Sequence, residues 1–587
     1  MIQPKENLPL PRTDTAHISA SAFWLIAVLL LAAQLILNYP LLIAHLSTMN
    51  MWDEAEFINH GRLWAEGQWP QFAQNPLMVA LYAVIYLFCK SSPLWLVHCC
   101  TVGRFVLFGL LWGATCLIAK RLTAFFHPVI MLGVAFLSPA LTELLRNPSD
   151  ALFAAMAAFG FSQLLAYREH GKPSDLLLAS CFVGLASLAR IDGLVLFVFF
   201  SVLSFLLFRR GDRRFRCCAA ILLPFLTILG VYMGLYALLG GGADTGLAEK
   251  SYLPFEQAQG VVYELKYPNQ NPYLEGQVQA RALYGTPEQN HYSILAAIRR
   301  NPQAFLNRVG QVVRTIPFYW LGAYGSGLGL VLFLLLGRGI IALAFHEEPA
   351  LLALALIWPL HLSVHLLTYF RPGHFLLAYF ALFTLASIGL NTVMFNRLSR
   401  RERIIWIIAL GDFIVCGWAM AKLEWVTAAA LFLAALLLGQ LVIERGCGRR
   451  WAKAAGCLIF LVLGLWLKGY FAICQTRIDT SAPLEQTASF LEKNFAPGSA
   501  VGAYAPGVVY LARMRYVPLN INLRSMTAAS DLSSWMKNVD ISAVYVDQGL
   551  RQFEPRAWRL LQSEIGNGLT QIYISSDSQH TILIRSK

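Results

Sequence analysis

Charged side chains are scarce in this chain of 587 residues: Asp, Glu, Lys and Arg make up 13% of it, against 57% hydrophobic residues. With a mean hydropathy of +0.54, this composition excludes an ordinary water-soluble protein and is typical of a polytopic membrane protein. The net charge of +13 does not indicate a nucleic-acid partner, because the basic residues cluster in short connections between apolar runs, as they do in cytoplasmic loops.

Sequence signals for a soluble active site are also missing. None of the eleven cysteines forms a C-x-x-C pair, and most lie in or beside apolar runs, so we expect inert thiols rather than a disulfide framework or a metal site. No Gly-rich phosphate loop or nucleophile elbow is present. The N-terminus has no cleavable signal pattern, and the run 23–46 is interpreted as a retained first helix.

What the chain has in abundance is apolar runs of the roughly 20 residues that cross a bilayer. The positive-inside rule gives about 13 transmembrane helices, with the N-terminus cytoplasmic and the C-terminus outside. The predicted crossings are 23–46, 101–118, 124–141, 151–167, two within 174–208 that bend at "ARIDG", 217–239, 317–337, 350–369, 374–395, 404–421, 425–443 and 454–474.

The remaining segments complete the predicted organisation. Residues 1–21 form a cytoplasmic tail, 22–475 a transmembrane domain with outer loops 47–100 and 240–316, and 478–587 a small extracytoplasmic α/β domain. The second outer loop is too long for an ordinary connection, so we expect it to have its own fold or to act as a lid. The last domain alternates helical patterns such as "APLEQTASFLEKNF" with strand-like runs such as "AVYVD" and "LTQIYIS". It carries no nucleophile elbow, phosphate loop or metal-ligand spacing, which favours recognition or support over catalysis.

Acidic residues gather where the chain leaves the membrane on its outer side. Asp53 and Glu54 follow the first apolar run in "DEAEF", and Asp150 opens another helix in "LRNPSDAL", four residues after Arg146. Such residues also occur in solvated loops, and Asp150 would equally suit a helix N-terminus through the macrodipole. Carboxylates on one side of the membrane nevertheless suggest a site for proton abstraction.

Basic residues lie on the same predicted side. Arg190 is followed by Asp192 within a long apolar run, where charges are expensive enough to suggest function, although the two could neutralise each other as a structural ion pair. Arg371 in "YFRPGHF" is flanked by His365 and His374 and suits a phosphate, because its planar fork donates two parallel hydrogen bonds. Its alternative role is a snorkelling anchor at the interface.

The order of "DEAEF", "NPLMVALY", "NPSDAL", "LARIDG" and "FRPGHFLL" resembles the GT-C superfamily of integral membrane glycosyltransferases, in particular the bacterial branch related to protein O-mannosyltransferases and lipid A aminoarabinose transferases. The resemblance implies that Asp53 is the catalytic base, with Glu54 beside it, that Asp150 is the second acidic position, and that Arg371 faces the donor phosphate. Arg190 and Arg146 are further candidates for phosphate. Part of the superfamily holds a divalent cation near the carboxylates, for which Asp53 and Asp150 would be the ligands here.

The function expected from this resemblance is transfer of a sugar from a polyprenyl-phosphate donor to an envelope glycolipid, polysaccharide or protein, at the outer face of a bacterial inner membrane, by an inverting-type mechanism. The partners are then the lipid-linked donor, that acceptor and membrane lipids, with no nucleic acid. The alternatives are a transporter or flippase of lipid-linked or anionic solutes, which predicts an internal repeat, and a receptor or scaffold whose C-terminal domain binds a partner.

Overall fold

The computed structural model describes residues 53–68, 75–122, 144–145, 147–207, 214–239, 247–260, 272–324, 335–340, 349–367, 372–395, 482–519 and 529–586, with scattered positions between 21 and 42. The crossings predicted at 124–141 and beyond residue 404 lie outside the described residues, as do Arg146 and Arg371.

Helices dominate the described part of residues 53–395. Their bounds are α1 Asp53–Ala65, α2 Pro76–Cys89, α3 Trp95–Leu122, α4 Pro148–His170, α5 Pro173–Ala189, α6 Gly193–Leu207, α7 Arg214–Leu239, α8 Leu247–Gln257, α9 Pro272–Tyr284, α10 Ile294–Arg300, α11 Pro302–Tyr324, α12 Pro349–Leu367 and α13 Tyr379–Phe395. Among the described residues, three helices are long and apolar enough to cross a membrane, namely α3, α4 and α7.

Proline and glycine set several of these bounds. Pro148 and Pro173 lie at the first turns of α4 and α5, where the missing N–H costs nothing, and Gly171 ends α4 in the left-handed conformation with φ 68°. The long apolar run 174–208 breaks at residues 190–192, as the sequence predicted. At that break a Cβ on Gly193 would lie 2.4 Å from the backbone nitrogen of Ser187, so the turn requires glycine.

Two predicted boundaries differ from the structure. Helix α3 begins at Trp95, six residues before the predicted crossing, because the preceding "WLVHCC" is apolar enough to continue its buried face. Helix α11 runs from Pro302 to Tyr324 and so passes through the boundary placed at 316. Its first half is amphipathic, and the polar residues on one face lower the mean hydropathy, so this half resembles a loop in the sequence.

The part of the second outer loop that the structure describes has a small hydrophobic core of its own. Its buried members are Tyr252, Phe255, Ala280, Tyr284 and Ala297. The buried Asn290 donates to the hydroxyl of Tyr252 at 2.8 Å and to the carbonyl of Tyr284 at 3.0 Å, which ties α8 and α9 to the turn that follows α9. The described part of this loop is therefore held together by a core of its own, while its separate fold or its action as a lid remains a prediction.

The described part of residues 482–586 contains a five-stranded sheet and five helices. In chain order these are α14 Ala482–Asn494, β1 Ala500–Ala503, α15 Gly507–Leu511, β2 Arg515–Pro518, α16 Ala529–Asn538, β3 Ile541–Val546, α17 Gln548–Phe553, α18 Pro555–Glu564, β4 Leu569–Ile574 and β5 Thr581–Arg585. The strand order is β2-β1-β3-β5-β4, with β2, β1 and β3 parallel and β5 antiparallel to both of its neighbours.

The two faces of this sheet serve different cores. Along β3, Val544 and Val546 pack into a core that belongs to the C-terminal segment alone, whereas Ala543 and Tyr545 belong to the cluster that continues into the membrane helices. This follows from the alternation of side chains along a strand. On the second face, α15 packs against α1 and α3, and Arg513 donates to the carbonyl of Lys90 at 3.4 Å. The C-terminal segment therefore covers the acidic helix α1.

Candidate active site

Helix α1 carries the acidic group that the sequence singled out. Asp53, Glu54 and Glu56 occupy its first turn, where the unpaired backbone N–H groups and the macrodipole favour negative charge. The three side chains differ in exposure: Asp53 is exposed, Glu56 is partly buried and Glu54 is fully buried. One helical turn therefore places three carboxylates in three environments.

Glu54 lies in a sealed ion pair with Arg104 of α3. The Nη2 of Arg104 is 3.1 Å from Oε2 of Glu54, and the two side chains are 1% and 0% exposed. The hydroxyl of Tyr82 and the thiol of Cys100 both donate to Oε1 of Glu54 at 3.3 Å. A fully buried carboxylate that accepts from three donors is suited to fixing α1 against α2 and α3, since breaking a buried pair costs about 3–5 kcal/mol.

Two glycines allow Tyr82 to reach Glu54. A Cβ on Gly61 would lie 2.7 Å from the backbone nitrogen of Ala83, and a Cβ on Gly103 would lie 2.6 Å from the Tyr82 ring. Real Cβ atoms do not approach so closely, so α1 and α3 need glycine where they pass α2. The close packing of these helices therefore depends on Gly61 and Gly103, which are not part of the charged group.

Glu56 faces the C-terminal segment. Burial, with a smaller contribution from the charge of Asp53, raises the pKa of Glu56 from 4.5 to about 7. Glu56 lies near enough to Tyr510 and Tyr516 for its charge to raise the pKa of both phenols, in each case after the larger effect of burial. Residues of the C-terminal segment therefore help to shield Glu56 from solvent.

A second charged group links α4, the α5–α6 turn and α12. Arg190 donates from Nη1 to Oδ1 of Asp150 and from Nε to Oδ2 of Asp192, the latter at 2.8 Å. Asn147 donates to the other oxygen of Asp150 at 3.0 Å. The Arg190 side chain remains 18% exposed, although Asp150 is only 3% exposed. This group is buried on its acidic side and reaches solvent through the guanidinium.

Two histidines of α12, His361 and His365, lie near Asp192, and His374 packs on one of them. The Nε2 of His365 lies 3.9 Å from Oδ2 of Asp192. His374 stacks on His365 with ring centroids 3.9 Å apart, and His361 meets His365 edge-on at 5.1 Å. All three histidines are buried. His365 and His374 were predicted only as neighbours of Arg371, and His361 was not predicted, although the i, i+4 spacing of His361 and His365 indicates that both lie on one helix face.

A divalent cation between Asp53 and Asp150 does not fit this arrangement. Both oxygens of Asp150 accept from donors, one of which is a guanidinium, so its lone pairs are directed at positive or N–H groups rather than at an open site.

No family model and no curated protein matches the sequence. The fold is nevertheless similar to solved structures. ArnT from Cupriavidus metallidurans bound to undecaprenyl phosphate matches with a TM-score of 0.56 and 13% identity, over 96% of this chain and 98% of that one. The oligosaccharyltransferase AglB from Archaeoglobus fulgidus, in complex with an inhibitory peptide and a dolichol-phosphate, matches with a TM-score of 0.50 and 13% identity, over 96% and 74%.

The chain shares its fold with ArnT and AglB, as the GT-C resemblance of its motifs predicted. The apo form of ArnT is similarly close in fold to this chain, with a TM-score of 0.55 over 96% of this chain. The resemblance read from short motifs is thus confirmed at the level of fold, because the match extends over nearly the whole chain rather than over the motifs alone. The apolar helices and these neighbours also agree on a membrane location.

Proposed function

We propose that the chain transfers a sugar from a polyprenyl-phosphate donor to an envelope acceptor, a glycolipid, polysaccharide or protein, at the outer face of a bacterial inner membrane. The observation that carries the proposal is the exposed Asp53 at the N-terminus of α1 within a GT-C fold. One of the neighbours with this fold binds undecaprenyl phosphate and another binds dolichol-phosphate.

Asp53 is the proposed base. It is the carboxylate of the first turn that solvent reaches, whereas Glu54 is enclosed by Arg104, Tyr82 and Cys100. The hydroxyl oxygen of the acceptor forms a bond to the anomeric carbon, the bond from that carbon to the phosphate oxygen breaks, and the hydroxyl proton passes to Asp53. Polyprenyl phosphate leaves with the electron pair, and attack opposite to it inverts the anomeric configuration.

Cationic groups are needed where the leaving phosphate gathers charge. Arg190 is a described candidate: its guanidinium is partly exposed and is oriented by Asp150 and Asp192. Arg146 and Arg371 complete the proposed phosphate set. Asp150 acts by positioning Arg190, and Glu54 acts by positioning α1, so both carboxylates support the reaction without taking the proton.

The test is a mass comparison of envelope glycans and lipids from cells that carry the wild-type chain, a deletion or Asp53→Asn at equal membrane abundance. We expect both altered strains to lose one sugar-sized mass from the same component, and general-base loss to slow transfer about 10²–10⁴-fold. Asp175→Asn is the matched control, because Asp175, like Asp53, lies in the first turn of a helix.

Normal modification in the Asp53→Asn strain would refute the assignment of the base. A deletion that leaves every envelope component unchanged would remove the proposed function itself.

A further inference from the structure

Helix α12, with its two histidines, meets the α5–α6 turn at a point where three potential metal ligands converge. One ligand atom from each of Asp192, His361 and His365 lies within 4.8 Å of the other two, and all three groups are enclosed in the protein. His361 and His365 are four residues apart on one helix face, the spacing with which paired histidines bind zinc in helical sites.

His361 supplies an independent observation. The residue is 4% exposed, and neither of its ring nitrogens has a hydrogen-bond partner among the residues that the structure describes. Its ring packs between Phe153, with centroids 5.6 Å apart, and His365. A buried polar group left without a partner costs about 1–3 kcal/mol. A metal ion bound by one of these nitrogens would remove part of that cost.

Asp192 is suited to complete the set. Arg190 holds it through Oδ2, whereas Asp150 is held through both oxygens. A carboxylate has about four lone-pair sites, so the second oxygen of Asp192 retains capacity for a ligand. Hydrogen bonding of a ligating carboxylate by a second residue also orients it, which is the usual arrangement around protein metals.

Local charge permits a cation despite the nearby guanidinium. Asp150 and Asp192 are both bonded to Arg190, so the group carries two carboxylates against one positive charge. The excess is negative and lies in a poorly hydrated region, where unscreened charge acts strongly. His374, stacked on His365, fixes the plane of that imidazole.

We propose that Asp192, His361 and His365 form a binding site for a transition-metal dication of the Zn²⁺ class, distinct from the Asp53 and Asp150 pair. Two imidazoles and a carboxylate suit Zn²⁺, and three protein ligands leave a fourth position open to water or to an anionic oxygen. Binding of the ion stands on these residues alone; only its use in the reaction rests on the proposed function.

The experiment uses the full chain in detergent, with any affinity tag removed and bound metal stripped by a chelator. Zn²⁺ is then added, and bound zinc is measured by elemental analysis together with the affinity by titration calorimetry. We expect about one Zn²⁺ per wild-type chain and a loss of affinity of about tenfold or more in His361→Ala and in His365→Ala. His98→Ala, at an exposed position on α3, is the matched control.

A second readout covers variants that fold poorly. Co²⁺ in place of Zn²⁺ reports coordination by its visible absorption, and His361→Gln keeps the volume and polarity of the site while removing imidazole. The inference is supported if the Co²⁺ spectrum of the wild type disappears in His361→Gln at unchanged elution volume. It is overturned if the wild type binds no Zn²⁺, or if His361→Ala and His361→Gln bind it as the wild type does. Neither outcome depends on sugar transfer, so the proposed function is tested separately.

Discussion

Two groups of carboxylates held by arginine include the acidic residues that the sequence singled out, and they differ in their remaining capacity to bind a ligand. In the first, Glu54 and Arg104 are both fully buried, and three donors converge on the carboxylate. In the second, Arg190 is shared between Asp150 and Asp192 and stays partly exposed, and the group lies beside His361, whose ring nitrogens have no hydrogen-bond partner among the described residues. A closed group stabilises packing, while a group with spare donors and acceptors is able to bind something else.

Removing Arg104 gives the largest expected effect on this comparison. Arg104→Met leaves Glu54 buried without its cation, so we expect the free energy of unfolding to fall by about 3–5 kcal/mol and membrane abundance to drop. Thermal unfolding in detergent measures the loss. The double variant Glu54→Gln with Arg104→Met should recover much of it, because no uncompensated charge remains. A single variant as stable as the wild type would contradict the structural role of the pair.

Removing Arg190 should affect the reaction more than the fold. We expect Arg190→Met to reduce transfer per folded chain about a hundredfold or more, the effect of deleting a preorganised donor to developing charge, beyond any loss of abundance that follows from leaving Asp150 and Asp192 without their cation. Arg121→Met is the matched control, because Arg121 forms a surface pair with Glu169 at 2.7 Å. A comparable loss of transfer in both variants, or no loss in Arg190→Met, would contradict a specific role of Arg190 in the reaction.

Gly61 tests the closed group through packing alone. Alanine is normally better than glycine in a helix by about 0.5–1 kcal/mol, but here its Cβ would strike the backbone of α2, and overpacking costs about 1–3 kcal/mol. We therefore expect Gly61→Ala to lower the melting temperature. Gly109→Ala on α3, where nothing lies within 4 Å of the added carbon, should leave it unchanged or raise it. Equal changes of melting temperature in Gly61→Ala and Gly109→Ala would argue against the close packing of α1 on α2.

Glu56 gives the smallest effect and the one that depends on pH. Burial raises its pKa from 4.5 to about 7, so the folded chain binds this proton more tightly than the unfolded chain does. The resulting stabilisation is complete below 4.5 and is lost as the pH rises towards 7. Glu56→Gln, which stays neutral, should therefore reduce the fall in melting temperature over this range. Glu492→Gln, at an exposed position of α14, should not.

Much of the fold could be predicted from the sequence, because the hydrophobic periodicity of a helix or a strand is a local property. The break at "ARIDG", the helix over Pro148–His170 and the strands Ile541–Val546 and Leu569–Ile574 follow from apolar period, proline and glycine positions. The sheet order and the packing of α15 on α1 were not predicted, since they depend on pairings between distant segments. The predicted count of crossings and the placement of the C-terminal domain outside the membrane remain predictions.

For the candidate site, sequence order located the acidic residues but not their partners. Nothing in "DEAEF" distinguishes an exposed Asp53 from a buried Glu54; the difference arises from Arg104, which is 50 positions away along the chain. The ion pair considered for Arg190 and Asp192 is present, yet Arg190 also holds Asp150, which lies on a different helix. Charged residues can be found from a sequence, whereas their pairing depends on the fold.

The packing of α15 on α1 has a consequence for the newly made chain. The hydrogen bond from Arg513 to the carbonyl of Lys90 joins residues 423 positions apart, and contacts of such separation form late. Until the last hundred residues arrive, the surroundings that Tyr510 and Tyr516 provide for Glu56 are absent, and that carboxyl keeps more of its ordinary acidity. We therefore expect a chain truncated before α15 to bury Glu56 less, so that burial raises the pKa of this carboxyl less than it does in the longer chain.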